Sequence, residues 1–460
     1  MALPKSTRRA LFYSLIFLFI IATPFVVAYS FGYSVDFQNQ SLIPSGGIFV
    51  KTNQTGIQVT LDGKVEKTTT FLGSGALFDS IDPGVHTVRI TKEGFRPWER
   101  EIMVRPGIVT EDRNIVLIPT TAPVISRTET PRNTSFTYIP APNGKHVAIF
   151  YEKTRLLSIE VTGSSVGLYQ KELPNGVFAN SISWLNDQYI AIHAPERLNA
   201  WILFRLSTDT GTVRELPLKI PEATPNDQIL EVIPHPADAN TVYVLTKSHD
   251  LYSYSFRDAI AKKLISQVVH AAYVDNSFIF VNEKGFFATA NLSGGNISVV
   301  GRPGFFLNAP FKTTVSRTGN AGLIDGVKGF YYYDRPEQII VPLIGGVVQS
   351  SFDERGQLAL LQGETSLSVV FLAPETTAPF RKKFAIERLV LDSKTPIISS
   401  AWYGENYILY TTAEGLFGVE LGSDTTHIVQ KLSDASGYVF VENDLITVIG
   451  DSEVVTLAIE

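Results

Sequence analysis

The sequence predicts an all-β protein, with a small β-sandwich followed by a β-propeller and one N-terminal transmembrane helix ahead of both. An uninterrupted apolar run near the N-terminus predicts the helix. Strand-like runs alternate with turn signals over most of the remaining 460-residue chain, and in its second part they recur in units of about 39 to 49 residues. Aromatic residues make up 11% of the chain against only 2 methionines, which favours strands over helices.

The composition excludes several classes of protein. The 39 basic and 45 acidic residues give a net charge of −6, so the chain has no general attraction for nucleic acid, and we expect no nucleic-acid partner. The absence of cysteine excludes disulfide frameworks, thiolate zinc sites, iron–sulfur clusters and cysteine nucleophiles. Hydrophobic residues reach 44% and charged residues only 18%, a composition typical of folded chains.

The N-terminal segment combines a basic head with an apolar run. Lys5, Arg8 and Arg9 precede uncharged residues from Ala10 to about Ala28, which as a helix span roughly 28 Å. Basic residues on the N-terminal side place that end in the cytoplasm. The pattern therefore predicts a single-pass protein of the cell membrane whose bulk is extracytoplasmic, with a cytoplasmic head at 1–9, a transmembrane helix at 10–30 and a spacer at 31–45.

A cleaved signal peptide is the alternative for this segment. Val26 and Ala28 provide small residues before a cut at Tyr29. The apolar run is longer than a usual signal core, so we favour a retained anchor that makes the membrane the first partner of the protein.

Residues 46–119 have the pattern of a small all-β unit. Asp62-Gly63 and Asp82-Pro83-Gly84 are turn signals, and apolar and polar residues alternate over His86–Thr91. Gly84 follows Asp-Pro in a turn that needs a positive φ, and we expect the same backbone requirement at Gly94. The segment is long enough for a sandwich of about seventy residues.

This segment resembles a PEGA domain, the small β module of bacterial and archaeal surface proteins. The resemblance is carried by Ile81–Phe95 and by Trp98, whereas the naming tetrapeptide falls on Gln54–Ile57, where only Gly56 matches. It implies adhesion or spacing rather than catalysis. The whole layout, with one N-terminal helix, this module and a long β region, is similar to that of bacterial envelope proteins.

Residues 120–460 consist of repeated three- to four-strand units. Eight units fit a propeller best, and seven is the alternative because the unit near Thr313 is faint. The last unit has only three strands, so we expect Pro123–Thr128 to supply its outer strand by pairing with Val454–Ile459. The turn Pro142–Lys145 and Trp184 resemble Tol-type and tryptophan–aspartate repeat propellers in architecture alone. A pair of β-sandwiches is the competing fold.

No motif in the chain predicts catalysis. The seven histidines never lie within four residues of one another, which argues against a local zinc motif. Gly163–Gly167 matches a nucleophile elbow and Asp209–Gly211 an aspartic-protease tripeptide, but both lie between strand-like runs and are interpreted as turns. We therefore predict no catalytic, cofactor-binding or metal-binding residue and no cofactor. A channel lined by carboxylates that binds a cation stays open beside acids scattered over the surface.

The resulting expectation is a non-catalytic, membrane-anchored envelope protein whose propeller is a binding or scaffolding platform for protein or glycan. The alternative is a propeller-fold hydrolase or lyase with its site at the channel mouth, because the fold alone does not decide function. Two or more carboxylates, or His–carboxylate pairs, that converge at the mouth would favour the enzyme.

Overall fold

A computed structural model describes most of the chain. The residues outside its description are 1–4, 31–32, 37–40, 70–72, 121–123, 130–135, 163–166, 195–199, 208–211, 219–227, 236–237, 239, 309, 376–380, 390, 392–394, 422–428, 443, 451–452 and 460. The rest forms one N-terminal helix and a long succession of β-strands.

The N-terminal helix α1 runs over Lys5–Ser30, so the basic residues Lys5, Arg8 and Arg9 lie inside it. Among the described residues, none of the helices meets the combination of length and hydropathy that crossing a membrane requires. The predicted transmembrane helix at 10–30 is therefore wrong.

The segment that the sequence suggested to be a plain spacer contains a hairpin. Strands β1 (Tyr33–Asp36) and β2 (Ser41–Pro44) pair antiparallel, with Tyr33 opposite Pro44 and Asp36 opposite Ser41.

Two sheets form the small unit that follows. One has the order β6-β3-β9, with β3 (Gly46–Thr52), β6 (Gly75–Ile81) and β9 (Val109–Ile115), and the pairing of β3 with β9 is parallel. The other has the order β5-β4-β7-β8, and its strands are β4 (Gln58–Leu61), β5 (Val65–Thr68), β7 (Gly84–Thr91) and β8 (Trp98–Val104).

The core of the small unit explains its strand pattern. In β8 every second residue is buried, so Trp98, Arg100, Ile102 and Val104 lie on the inner face, whereas Glu99, Glu101 and Met103 face solvent. Gly84 and Gly94 have φ values of 150° and 83°, which confirms the expected need for positive φ at both.

The described strands between residues 124 and 458 form eight antiparallel sheets of four, which we number as blades. Blade 1 consists of β11 (Phe136–Pro140), β12 (His146–Tyr151), β13 (Leu156–Val161) and β14 (Gly167–Glu172). A 3₁₀ turn at Ala179–Ser181 leads to blade 2, which consists of β15 (Ile182–Asn186), β16 (Tyr189–Ala194), β17 (Ala200–Leu206) and β18 (Val213–Leu218). Blade 3 consists of β19 (Ile229–Pro234), β20 (Thr241–Thr246), β21 (Leu251–Ser255) and β22 (Ile260–Ile265), and blade 4 of β23 (Val268–Val274), β24 (Ser277–Asn282), β25 (Phe287–Asn291) and β26 (Ser298–Gly301).

The second half of the ring repeats the plan. Blade 5 consists of β27 (Lys312–Val315), β28 (Ala321–Ile324), β29 (Phe330–Asp334) and β30 (Ile339–Ile344), and blade 6 of β31 (Gln349–Phe352), β32 (Leu358–Gln362), β33 (Leu367–Phe371) and β34 (Ile386–Leu389). Blade 7 consists of β35 (Ser399–Tyr403), β36 (Tyr407–Thr412), β37 (Gly415–Glu420) and β38 (Val429–Ser433). Blade 8 consists of β39 (Tyr438–Glu442), β40 (Leu445–Ile449), β41 (Glu453–Ala458) and β10 (Val124–Glu129). The all-β prediction is confirmed.

Blade 8 closes the ring with strands from both ends of the propeller. Strand β10 pairs antiparallel with β41, with Thr128 opposite Val454 and Val124 opposite Leu457. The predicted pairing is therefore confirmed for Val124–Thr128 with Val454–Leu457, whereas Pro123 lies outside the described residues. It covers the outer edge of β41, which a three-stranded last unit would leave unpaired.

Hydrogen bonds join the innermost strands around a central channel. The Trp184 indole N–H donates to the Ile139 carbonyl at 2.7 Å and links blades 1 and 2, and the Thr314 hydroxyl lies 3.0 Å from that of Ser350 between blades 5 and 6. The backbone N–H of Val439 donates to Ser399 Oγ between blades 7 and 8. The innermost strand of each blade has one edge without a neighbouring strand. Side chains form hydrogen bonds with backbone groups along that edge.

The two faces of the ring differ in the connections they carry. The face that we call proximal has the turns between the first and second and between the third and fourth strands of each blade. The opposite, distal face has the turns between second and third strands and the loops that lead into each first strand. The small unit docks on the proximal side of blade 7, where the Asn406 amide donates to the Arg113 carbonyl and the Arg96 guanidinium donates to the Lys431 carbonyl.

Candidate functional site

A cavity of about 840 Å³ opens at the distal mouth of the channel, where blades 3, 4 and 5 meet. Its walls are mainly apolar, with Leu230, Val269, Leu307 and Phe311 among the lining residues. Mostly apolar walls with a few convergent polar groups are typical of ligand sites in proteins. The polar lining residues of this cavity are Asn308 and the four titratable residues His249, His270, Glu231 and Glu283.

The first polar group is a chain of three side chains from three adjacent blades. His270 Nδ1 lies 3.1 Å from Glu231 Oε2, and His270 Nε2 lies 2.7 Å from Thr313 Oγ1. The imidazole is 5% exposed and stacks on the Phe311 ring, with centroids 5.3 Å apart, whereas the Glu231 side chain is 37% exposed. The arrangement holds the first strands of blades 3, 4 and 5 together and leaves the carboxylate accessible from the cavity.

The second polar pair comes from the turns of the distal face. His249 Nδ1 lies 2.6 Å from Glu283 Oε1, and the Glu283 side chain is 42% exposed. His249 lies in the turn between β20 and β21, and Glu283 lies in the turn between β24 and β25. His249 has a φ of 62°, so the tight turn fixes the backbone from which the imidazole projects.

The spacing of the three chained residues follows the blade repeat. Glu231 and His270 are 39 residues apart, and His270 and Thr313 are 43 apart, which matches the predicted length of one unit. Each lies among the first three residues of the first strand of its blade. Ring formation therefore brings equivalent positions of consecutive repeats into contact.

The remainder of the channel is lined by the first strands of the other blades. A volume of about 980 Å³ lies beside blades 1, 2, 6, 7 and 8, with Trp184, Trp402 and Phe440 on its wall. A second volume of about 820 Å³ lies beside blades 2 to 5 and shares Leu230, Glu231, His270 and Phe311 with the mouth cavity. The mouth cavity is therefore the distal end of a continuous channel.

A buried charged cluster forms the contact between the small unit and blade 7. Trp98 Nε1 donates to Glu420 Oε2 at 2.7 Å, and Arg100 lies 3.5 Å from the same carboxylate and 2.7 Å from Asp112 Oδ2. The side chains of Arg100, Asp112 and Glu420 are at most 4% exposed. Burial raises the pKa of Glu420 to about 7, and Arg100 offsets only part of that effect. This cluster lies on the proximal side, away from the mouth cavity.

The described residues contain no group of three or more potential metal ligands. His249 and His270 each face a single carboxylate, and both pairs line the mouth cavity. The other described histidines lie elsewhere: His86 pairs with Asp62 in the small unit, His146 is the first residue of β12, His193 stacks on Trp201 and His235 packs on Tyr243.

The motifs that the sequence singled out are not part of this site. Residues 163–166 of the elbow match and 209–211 of the protease tripeptide lie outside the described residues. The strands on either side of each pair antiparallel, β13 with β14 and β17 with β18.

Sequence reasoning missed the residues of the mouth cavity. The pairs of His270 and His249 are made by Glu231, Thr313 and Glu283, which are distant in sequence. Their one sequence signal is register: alignment of the repeats on their first strands places Glu231, His270 and Thr313 near one column.

Comparison with solved structures finds similarity to propellers at low identity. Sqt1 from Saccharomyces cerevisiae aligns with a TM-score of 0.47 and 9% identity, covering 74% of this chain and 100% of that one. BamB from Moraxella catarrhalis aligns with a TM-score of 0.43 and 10% identity, covering 74% and 98%. The computationally designed Ika8 protein aligns with a TM-score of 0.44 and 12% identity, covering 71% and 97%. These similarities concern the fold alone.

Comparison with protein families identifies the small unit. No relative was found among the curated proteins. The family model described as the PEGA domain matches residues 45–119, the segment that contains both sheets of the small unit and the docking residues Trp98 and Arg100. The chain thus contains a PEGA domain followed by an eight-bladed propeller.

Proposed function

We propose that this protein is a non-catalytic binding platform, in which the propeller presents its distal mouth to a macromolecular partner, protein or glycan. The observation that carries the proposal is the cavity of about 840 Å³ at that mouth, with apolar walls and two accessible carboxylates. The PEGA domain docks on the proximal side of blade 7, so it leaves the distal mouth uncovered.

Exposed apolar side chains around the mouth support a macromolecular partner. Leu230 is 48% exposed and Phe306 is 43% exposed, and both lie where the chain enters a first strand on the distal face. Tyr438 and Ile398 have the same position in blades 8 and 7 and are exposed as well. Clustered exposed apolar side chains of this kind are common in protein interaction sites.

Site-specific photocross-linking tests the platform in the organism that makes the protein. A photoreactive amino acid at Leu230 is expected to give a discrete cross-linked product, because this side chain borders the cavity. The matched control is Ile260, which is 62% exposed on the outer strand of the same blade. Absence of a product from Leu230, or the same product from both positions, would contradict the proposal.

We also propose that both β units work outside the cytoplasm. The absence of cysteine and the PEGA match support this location, since the resemblance is to modules of surface proteins. Protease added to intact spheroplasts is expected to digest the β units. Their complete protection would overturn the location without affecting the platform.

A hydrolase is the second candidate, favoured by the Glu231–His270–Thr313 chain and by the presence of two His–carboxylate pairs at the channel mouth, the feature expected to favour an enzyme. In that reaction the Thr313 hydroxyl would add to an acyl carbon as its proton passes to His270 Nε2. That proton would then pass to the leaving group as its bond to the acyl carbon breaks, and water would later hydrolyse the acyl–threonine ester to free acid and Thr313. It ranks second because the imidazole is buried, stacked on Phe311 and bonded through both nitrogens, as a link between blades requires. A fluorophosphonate adduct on Thr313 would support the enzyme, and complete absence of labelling would count against it.

A further inference from the structure

We propose that the mouth cavity binds an arginine or lysine side chain of a protein partner. This inference rests on the proposed platform and names the chemistry that its site recognises. The two carboxylates in the cavity, Glu231 and Glu283, each bond one imidazole and are each about two-fifths exposed. Among the described residues that line the cavity, none is lysine or arginine. The cavity therefore offers negative charge without a fixed cation.

The apolar walls select the rest of the ligand. Leu230, Leu307 and Phe311 flank the carboxylates, so a charged head carried on an aliphatic stem matches both parts of the lining. Guanidinium groups bind carboxylates through paired hydrogen bonds, and arginine is enriched where interfaces bind most strongly. An uncharged apolar ligand would bury the carboxylates without compensation, which costs free energy.

The same lining disfavours the other ligand classes. An anion would meet two carboxylates without a lysine or arginine among the described lining residues. A glycan commonly stacks on an accessible aromatic face, but Phe311 is 8% exposed and stacks on His270. Of the two partners that the platform proposal allows, a protein therefore matches the cavity better.

A charge-isostere experiment on the full chain tests the inference. The probes are two five-residue peptides with blocked ends that differ only in a central arginine or citrulline, which replaces the guanidinium by a neutral group of the same shape. Binding is measured by ligand-observed NMR at pH 8, above the ordinary titration range of imidazole. We expect the arginine peptide to bind at least tenfold more tightly. Equal affinities, or no binding of either peptide at millimolar concentration, would overturn the ligand class.

Variants that replace glutamate by glutamine test whether the preference for the arginine peptide arises in the mouth cavity. The double variant Glu231→Gln/Glu283→Gln keeps hydrogen-bond acceptors for both histidines and is expected to lose the tenfold preference. The matched control is Glu364→Gln on the same face, where the carboxylate pairs with Lys328 and is 72% exposed outside the cavity. An unchanged preference in the double variant would overturn the site.

Two further comparisons separate the outcomes. Binding of n-butylguanidinium as tight as that of the arginine peptide would replace the protein partner by a small cation. If the arginine peptide binds no more tightly than the citrulline peptide but Leu230 still gives a cross-linked product, the ligand class is refuted and the platform proposal is retained. Loss of the Leu230 cross-link itself would refute the platform.

Discussion

At the scale of single residues, two glycines in turns of the proximal face show how a close neighbouring side chain adds to the requirement for a positive φ. Gly144 in blade 1 and Gly404 in blade 7 occupy equivalent turns with φ values of 68° and 63°. A Cβ on Gly144 would lie 2.6 Å from Cγ of Phe440 in blade 8, whereas a Cβ on Gly404 would meet no atom within 4 Å. The two positions therefore separate backbone strain from steric conflict.

Substitution of these glycines by alanine should destabilise the propeller unequally. Gly404→Ala is expected to cost about 1 kcal/mol in unfolding free energy through positive φ alone. Gly144→Ala should cost at least about 1 kcal/mol more, because the Phe440 ring must move. Chemical denaturation measures both. In the double variant Gly144→Ala/Phe440→Ala the extra cost should shrink, and equal losses for the two single variants would contradict the steric explanation.

The mouth cavity shows which part of a site a sequence can predict. Leu230–Pro234 and His270–Val274 are identifiable as first strands because alternation and turn signals are local properties. The contact between Glu231 and His270 is not local, since it exists only after two blades pack side by side. Residue chemistry gave no motif because Glu231, His270 and Thr313 come one from each of three blades.

At the scale of elements, strand β10 is the part of the propeller that the chain supplies from its other end. It pairs along its length with β41, whose Val454, Val455 and Leu457 are buried. Other outer strands follow directly on their own blade, whereas roughly 320 residues separate Glu129 from Glu453. Closure is therefore a long-range contact with a loop-closure cost.

Two consecutive prolines in β10 should open the ring. Of two adjacent residues in an antiparallel strand, one directs its N–H to the partner, so Ser126→Pro/Arg127→Pro removes a ladder hydrogen bond with β41. We expect a lower melting temperature and concentration-dependent aggregation through the exposed edge, measured by calorimetry and light scattering.

The control is the same change in an outer strand that is continuous with its blade. Lys262→Pro/Lys263→Pro in β22 should weaken blade 3 locally and leave the ring closed. If both variants aggregate to the same degree, closure by β10 has no special role in solubility.

The local sequence pattern predicted some secondary-structure elements correctly and missed or misjudged others. The strands and the closing pair could be predicted, because period-two alternation and the missing fourth strand of the last unit are visible in the sequence. The helix at Lys5–Ser30 was placed correctly as a helix, but its apolar run was overestimated as a membrane span. The hairpin of Tyr33–Asp36 with Ser41–Pro44 was missed, since neither strand is long enough to show a period.

At the scale of the whole molecule, the charged cluster makes the PEGA domain and blade 7 one packed body. Ile118 at the end of the PEGA domain is buried with Tyr403 and Tyr407, beside the polar contact of Trp98 with Glu420. The cluster contains two carboxylates against one guanidinium, so burial favours the protonated form of Glu420. Neither domain alone contains all of its members, which is why sequence patterns within a domain did not reveal it.

The pH dependence of stability should report on Glu420. Its pKa is raised to about 7 by burial, so between its ordinary value and pH 7 the folded protein holds a proton that the unfolded chain releases. The contribution of Glu420 to stability therefore falls as pH rises through this window and is constant above it. From pH 5 to pH 8 the loss is of order 2 kcal/mol, since one pKa unit corresponds to about 1.4 kcal/mol.

Glu420→Gln removes the titration and keeps an acceptor for the Trp98 indole. We expect calorimetry to show a smaller decline in melting temperature between pH 5 and pH 8 for this variant than for the unmodified protein. Glu99→Gln on the same strand as Trp98 is the control, because Glu99 is 55% exposed and pairs with Arg89 at the surface. If the melting temperatures of the unmodified protein and of Glu420→Gln depend on pH in the same way, the proton held by the folded protein is not on Glu420.

The late arrival of β41 has a consequence for synthesis on the ribosome. At about 5–20 residues per second, β10 waits roughly 16–65 s for its partner, and Trp98 and Arg100 wait nearly as long for Glu420. A nascent chain thus carries an unpaired strand and an uncapped indole until its final blades emerge. Ring completion and domain docking then occur close together, so we expect every prematurely terminated product to keep at least one of these surfaces open to chaperones and proteases.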